Sequence, residues 1–353
     1  MAYTTINKSS SFMNPKLYTG NATNNATVTG VGFESDFTWL KARSGSQATQ
    51  PNWVFDSIRG ATKPLVTNSA TAEVTETGSL KSWQSDGFTL GLNNEINGSS
   101  TEYVSWNWLA GTAVSGQTTG SGTYKTYTGS VNTTSGFSII KYTGNGSSGH
   151  TIPHNLGAIP QWVVIKELPN ASDWMGYHQI LGNTKTIKLN EPDAPVTGSS
   201  YWYDTTPTSS VVTLGSSGEI NQNDTNYVMY AFSGKQGYSN FGSYTGNGNA
   251  DGTFVYTGFK PAFVMFKSTA SGTNWFMLDN KRQGFNPANE TLSPNTSSAA
   301  SSTGLSVNTL DFLSNGFKMR TNNAEFNATG STYIYMAFGQ SLVGTNNIPN
   351  NAR

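Results

Sequence analysis

The chain has 353 residues with 20 basic and 20 acidic side chains, so its formal net charge is zero and no basic stripe is available for nucleic acid. The absence of cysteine removes disulfides and thiolate metal sites. Charged residues make up only 11% of the chain, while 9 Trp, 16 Tyr, 18 Phe and 38 Gly describe aromatic strands between Gly-rich turns rather than disorder.

Residues 1–15, opening MAYTTINKSS, show no secretory signal pattern and are expected to form an N-terminal arm that docks on a neighbour. No run approaches 18 apolar residues, so no membrane insertion is expected. Three copies of one unit follow, at 16–111, 123–235 and 236–340. Tyr-Thr-Gly-Asn begins at Tyr18, Tyr142 and Tyr244, and an apolar segment ending in lysine closes at Lys41, Lys166 and Lys267. The spacing from Tyr to Lys is 23, 24 and 23 residues. A glycine precedes each lysine by nine residues (Gly32, Gly157, Gly258) and an aromatic by four (Phe37, Trp162, Phe263).

Each unit ends on a second shared segment: Tyr103 to Trp108, Tyr227 to Phe232 and Tyr333 to Phe338. Six residues before each of those tyrosines stands Asn97, Asn221 or Asn327. The lysine segments are short, β-branched and aromatic, and their unbroken apolarity predicts strands buried on both faces. No window sustains helical spacing, and Asp56 to Arg59 and Asp279 to Arg282 predict one ion-paired turn each. The fold class is therefore all-β: three tandem β-sandwich, jelly-roll-like repeats of about 100 residues, with a closed barrel per unit as the alternative. Residues 112–122 (TAVSGQTTGSG) read as a linker, the joint near Gly234 as a tight one, and 341–353 as a polar C-terminal tail.

Candidate chemistry is sparse. His150 and His154 stand ~13 Å apart if extended at ~3.3 Å per residue, so with His178 they read as polar loop histidines. Asn247 to Asp251 resembles a calcium loop loosely, but the closing bidentate acid is missing. The carboxylates are isolated and none recurs across the three copies, so no enzyme activity, cofactor or metal is expected, although spacing alone does not exclude a two-carboxylate glycosidase. Trp39, Trp106, Trp108 and Trp162 read as core, and Trp53, Trp174 and Trp275 share similar places after the lysine, which favours packing. Tyr201, Trp202 and Tyr203 form three adjacent aromatics in a Ser/Thr/Pro setting and are the leading exposed candidates for stacking on glycan rings, with Trp83 a fourth.

The segments MAYTTI, KLYTGN, FTWLK, VFDSIRGATKPL, SDGFTLG and YVSWNW resemble a repeat family in virion proteins of marine tailed bacteriophages. FSIIKYTGNGSSGHTIPHNLGAIPQWVVIK is similar to segments of phage tail-fibre and appendage proteins. The second copy departs most, lacking the Asp-x-x-Arg pair. The resemblance implies a virion structural protein on the exterior of the particle, in a tail fibre, appendage or capsid decoration. Its implied partners are other virion proteins, further copies in a homo-oligomer (a trimer foremost) and a host-surface glycan. A carbohydrate-binding adhesin module and a polysaccharide depolymerase are the alternatives.

Overall fold

A computed structural model describes residues 3–300 and 309–343, so most of the expected tail at 341–353 lies outside the described residues. The fold is an all-β sandwich fold made of separate antiparallel sheets, with helices of no more than four residues. A large sheet recurs with one strand order. Opening strands (Met13–Thr19, Phe137–Thr143, Ser239–Thr245) pair with closing strands (Glu102–Trp108, Asn226–Phe232, Thr332–Gln340). The closing strands pair with lysine strands (Phe37–Ser44, Trp162–Glu167, Lys260–Ser268), and these with return strands (Trp53–Asp56, Met175–His178, Trp275–Asp279). Phe37, Trp162 and Phe263 lie opposite Trp108, Phe232 and Phe338, so the register recurs too. Gly32, Gly157 and Gly258 all have positive φ, at 92°, 65° and 84°, a conformation that costs glycine no Cβ clash.

A smaller sheet covers one face of each large sheet. It is Ala26–Thr29, Gly87–Leu90 and Leu80–Gln84 in the first unit, and Phe254–Tyr256, Gly316–Met319 and Leu310–Leu313 in the third. In the second, His150–Pro153 lies between Val211–Leu214 and the two-residue strand Thr119–Gly120. Strand periodicity then divides the apolar residues between two cores. Val163, Ile165, Met229 and Ala231 face their own small sheet, whereas Trp162, Val164, Val228, Tyr230 and Phe232 face outward from the sandwich into a core common to all three units. Burial on both faces of the lysine strands follows from this division.

The common core is aromatic. Phe37 meets Tyr230 at 4.8 Å, Trp106 meets Phe263 at 5.8 Å, and Trp162 meets Trp275 at 5.6 Å between ring centroids, so every pair of units touches. Separating one unit would expose at least seven large side chains in the second unit's case (Phe137, Ile139, Trp162, Val164, Val228, Tyr230, Phe232). At about 1.5–3 kcal/mol each, the loss is roughly 10–20 kcal/mol. That equals or exceeds the whole net stability of an ordinary domain, about 5–15 kcal/mol.

Polar groups tie the same interface in a closed cycle. The indole N–H of Trp174 in the second unit donates to the Val66 carbonyl of the first at 3.0 Å. That of Trp275 in the third donates to the Lys188 carbonyl of the second at 2.9 Å. In the first unit Asn52 takes the place of the indole, and its amide donates to the Ser293 carbonyl of the third at 3.1 Å. Trp53 therefore does not share the place of Trp174 and Trp275. It sits one position later, facing the first unit's own sandwich core.

Two expectations about chain organisation are corrected. Residues 112–122 are not a linker: Thr112–Gln117 pairs with Thr126–Asn132, and Thr119–Gly120 with His150–Pro153. A largely exposed edge strand that lays only Val114 on the core needs no other large apolar residue, so its composition resembles a linker's. The N-terminal arm docks within its own chain. The Tyr3 hydroxyl donates to Gly258 O at 2.8 Å, Ser9 N donates to Gln340 Oε1 at 2.7 Å, and Phe12 meets Tyr238 edge-on at 6.2 Å.

Candidate functional site

The recurring tyrosines and asparagines meet at one loop cluster in each unit. Tyr18 stacks on Tyr103 at 4.9 Å, Tyr142 on Tyr227 at 5.3 Å and Tyr244 on Tyr333 at 4.7 Å. Beside them lie the short helices Asn94–Asn97, Gly218–Asn221 and Ala324–Asn327, N-capped by Asn93, Ser217 and Asn323. Asn97, Asn221 and Asn327 end these helices, and the amide of each donates to carbonyls of two surrounding loops. All three are buried. The cluster is a loop clasp with its polar atoms consumed internally.

The buried charges are also committed. Asp56 Oδ2 accepts from Arg59 Nε at 2.5 Å and from the Tyr230 hydroxyl of the second unit at 2.6 Å. Asp279 Oδ2 accepts from Arg282 Nε at 2.7 Å and from Trp106 Nε1 of the first unit at 3.0 Å. The equivalent position in the second unit is His178, which faces the Met336 strand of the third and touches its Tyr335 carbonyl at 3.2 Å. Where the neighbour supplies a donor the site holds a carboxylate, and where it supplies Met336 it holds an imidazole that burial pulls down to about 4. The missing Asp-x-x-Arg pair of the second copy thus follows from what it faces.

The recurrent lysines hold loops. Lys41 Nζ donates to Ala42 O, Ala48 O and Ser297 O at 3.0, 2.6 and 3.2 Å. Lys267 Nζ reaches Ser268 O at 2.9 Å and Pro192 O at 3.2 Å, and Lys166 Nζ reaches Glu167 O at 2.7 Å. Burial lowers Lys41 to about 7 and Lys166 and Lys267 to about 8.

The aromatic candidates do not form one stacking surface. Trp202 is fully buried, its ring 5.8 Å from Tyr177 in the second unit's core. Ser199–Trp202 is a helical turn, which fans successive side chains about 100° apart, so the three adjacent rings point different ways. Tyr203 remains 48% exposed and Tyr201 is half-buried. Trp83 belongs to the first unit, is half-buried, and donates its indole N–H to Thr38 Oγ1 at 3.0 Å.

The histidines are buried rather than solvated, and only His154 lies in a loop, while His178 ends a strand. His150 begins a strand and bonds Asn221 Oδ1 through Nδ1 at 2.8 Å, His154 bonds Thr208 O through Nε2 at 3.1 Å, and all three are buried. Among the described residues no three His, Asp or Glu side chains converge as a metal site, and no helix is long and apolar enough to cross a membrane. In the calcium-like loop, Asp251 pairs with Lys318 at 2.5 Å and Asn247 Oδ1 accepts from Asn249 N and Asn327 Nδ2.

One concave site breaks the three-unit pattern. From Asp56 to Leu65 and from His178 to Ile187 the chain advances nine residues before bridging the return strand again; from Asp279 to Leu292 it advances thirteen. The longer loop encloses a cavity of about 390 Å³ lined by Lys260, Asp279, Asn280, Lys281, Phe285 and Phe312 among others. The side chain of Asn286 pins it to the strand Leu310–Leu313 by two 2.9 Å bonds with the backbone of Phe312. Phe285 stands 67% exposed at its mouth, and Asn280 Oδ1 is buried without a hydrogen-bond partner. The signal in the sequence was the unequal spacing after the return strand, masked there by a comparison anchored on tyrosines and lysines.

The chain belongs to the family described as a domain of unknown function, DUF7483, whose model matches residues 8–341. No curated protein matches it.

Proposed function

We propose that this DUF7483 protein is a structural component of a tailed-bacteriophage virion, carried on the exterior in a tail fibre, appendage or capsid decoration, where it aids attachment to the host surface. The observation that carries the reading is the common core, because it makes three sandwiches one rigid body presenting three loop clusters in fixed relation. Such a body suits repeated weak contacts, whose linkage raises avidity by roughly 10²- to 10⁴-fold over one site. The fixed geometry replaces the flexible tethering expected from residues 112–122. The internal commitment of the buried carboxylates and lysines supports a non-enzymatic role. Resemblance of the KLYTGN and FSIIK segments to virion repeats supports the setting. Other virion proteins and further copies of the chain, foremost in a trimer, are the partners of this reading.

The test is mass spectrometry and cryo-microscopy of purified particles. A fixed copy number at one external position supports the proposal; absence from particles ends it. The adhesin alternative draws on the third-unit cavity with its exposed ring. Release of reducing ends from host polysaccharide by the purified chain would instead favour a depolymerase.

A further inference from the structure

We infer that the strand Thr112–Gln117 is a two-fold contact, through which two copies of the chain pair edge to edge and join their large sheets into one. In an antiparallel ladder every second residue turns its N–H and C=O away from its neighbour, so an edge strand offers a row of free groups. The three units manage that edge differently. In the first, Gly20 N bonds Thr101 O and Leu109 N bonds Phe12 O, which leaves the odd-numbered residues of Met13–Thr19 facing outward. Pro15 stands at one of those positions without an N–H to offer, and Lys16 adjoins it, so this edge is blunted. In the third, Ser239 exchanges both its backbone bonds with Lys235, Gln179 of the second unit bonds Phe241 O, and the Thr253 hydroxyl bonds Thr245 O at 2.7 Å. In the second, two further strands extend the sheet, and the outermost is Thr112–Gln117.

This outermost strand is bare. Thr118 N bonds Lys125 O, so the even-numbered residues face the inner neighbour, while Ala113, Ser115 and Gln117 turn their N–H and C=O groups outward. Among the described residues these backbone groups meet no partner. The strand has no Pro, no charge and no bulge, the devices that keep edges apart. A second copy fits because the strand complements itself. Antiparallel pairing about Ser115 sets Ser115 opposite its counterpart, Ala113 opposite Gln117 and Val114 opposite Gly116, and no charge meets another. Val114 lies half-buried at the margin of the second unit's core, on the face of Gly116 and Tyr127. A Cβ on Gly116 would stand 3.1 Å from the Tyr127 ring, so the absence of a side chain there leaves that ring open to the partner's valine. The two cores would then meet through one valine from each side. A foreign peptide held by strand addition needs pockets for its alternate side chains. This strand is exposed apart from Val114 and provides none.

The contact does not rest on the virion reading. The test is sedimentation equilibrium of the full chain from micromolar to sub-millimolar concentration, where a reversible dimer is expected. Hydrogen exchange at Ala113, Ser115 and Gln117 should slow as the dimer fills. Ser115→Pro removes a central outward N–H without touching the inner ladder, so it should weaken pairing at least about ten-fold with an unchanged melting temperature. Ser115→Lys and Ser115→Glu set like charges opposite each other and should each weaken it, while an equal mixture of the two should pair again. A chain that stays single throughout, association unchanged in Ser115→Pro, or a mixture no tighter than either charged variant alone would overturn the inference. A trimer that forms undiminished in Ser115→Pro would overturn it as well, while leaving the virion reading intact.

Discussion

Trp106 in the first unit donates its indole N–H to Asp279 in the third across 3.0 Å, and Tyr230 in the second donates its hydroxyl to Asp56 in the first at 2.6 Å. Each donor satisfies a fully buried carboxylate already paired with arginine. Trp106→Phe and Tyr230→Phe should each cost about 2–3 kcal/mol, the range for a hydrogen bond to a charged group. His178→Asp, which would place a carboxylate opposite Met336 with Leu181 in the arginine position, should cost more, about 3–5 kcal/mol, by leaving a buried charge unpaired. Denaturant midpoints of the three variants check the order, and a milder effect for His178→Asp would contradict it.

Phe263 touches Trp106 and Trp108 at 5.8 Å and Phe338 at 6.4 Å. Its truncation to Ala should cost about 3–5 kcal/mol through lost burial and a residual cavity. Because two of those rings belong to the first unit, the loss should lower the stability of the whole chain. Hydrogen exchange that accelerates in the third unit alone would contradict this.

Asn97 donates to Thr23 O at 2.9 Å and Gly91 O at 2.8 Å, and accepts from Asn21 N at 3.1 Å. Replacement by Ala leaves these backbone groups without their partner, at about 2–4 kcal/mol in total. Asn221→Ala and Asn327→Ala should cost similar amounts, measured by thermal unfolding. A cost for only one of the three would separate the clasps functionally.

Burial holds His178 at about 4, below its ordinary value of 6.5. The folded state therefore binds fewer protons than the unfolded state between those values, so this contribution is complete above pH 6.5 and lost as pH falls toward 4. The expected loss is about 3 kcal/mol at about 1.4 kcal/mol per unit. Burial lowers His150 and His154 as well, adding in the same direction. Urea unfolding of wild type and His178→Phe at pH 7 and pH 4.5 isolates the effect: the variant should lose less stability on acidification, and equal losses would contradict the assignment.

The all-β class and the strand register were legible because Tyr, Gly, aromatic and Lys positions recur at fixed spacing, and each proved to have a local role: a stack, a left-handed turn, a core ring, a loop clip. The second core was only half legible. Unbroken apolarity in Trp162 to Ile165 predicted burial on both faces, but nothing local distinguishes a facing sheet from a neighbouring unit. Trp202 was misplaced because polar neighbours describe the backbone's surroundings, while a single helical turn sends one ring inward. The edge strand at 112–117 was missed because a largely exposed strand, with Val114 alone laid on the core, has the composition of a linker. The Phe285 cavity lay in an insertion, where spacing arguments fail.

Calorimetry of the full chain tests the common core most directly. If the three sandwiches are held together by Phe37, Trp108, Tyr230, Phe232, Phe263 and Phe338, unfolding should be one transition whose calorimetric and van't Hoff enthalpies agree. The isolated second unit with all its strands, residues 112–235, should then fail to fold on its own. Three separable transitions, or a stably folded isolated unit, would contradict the account.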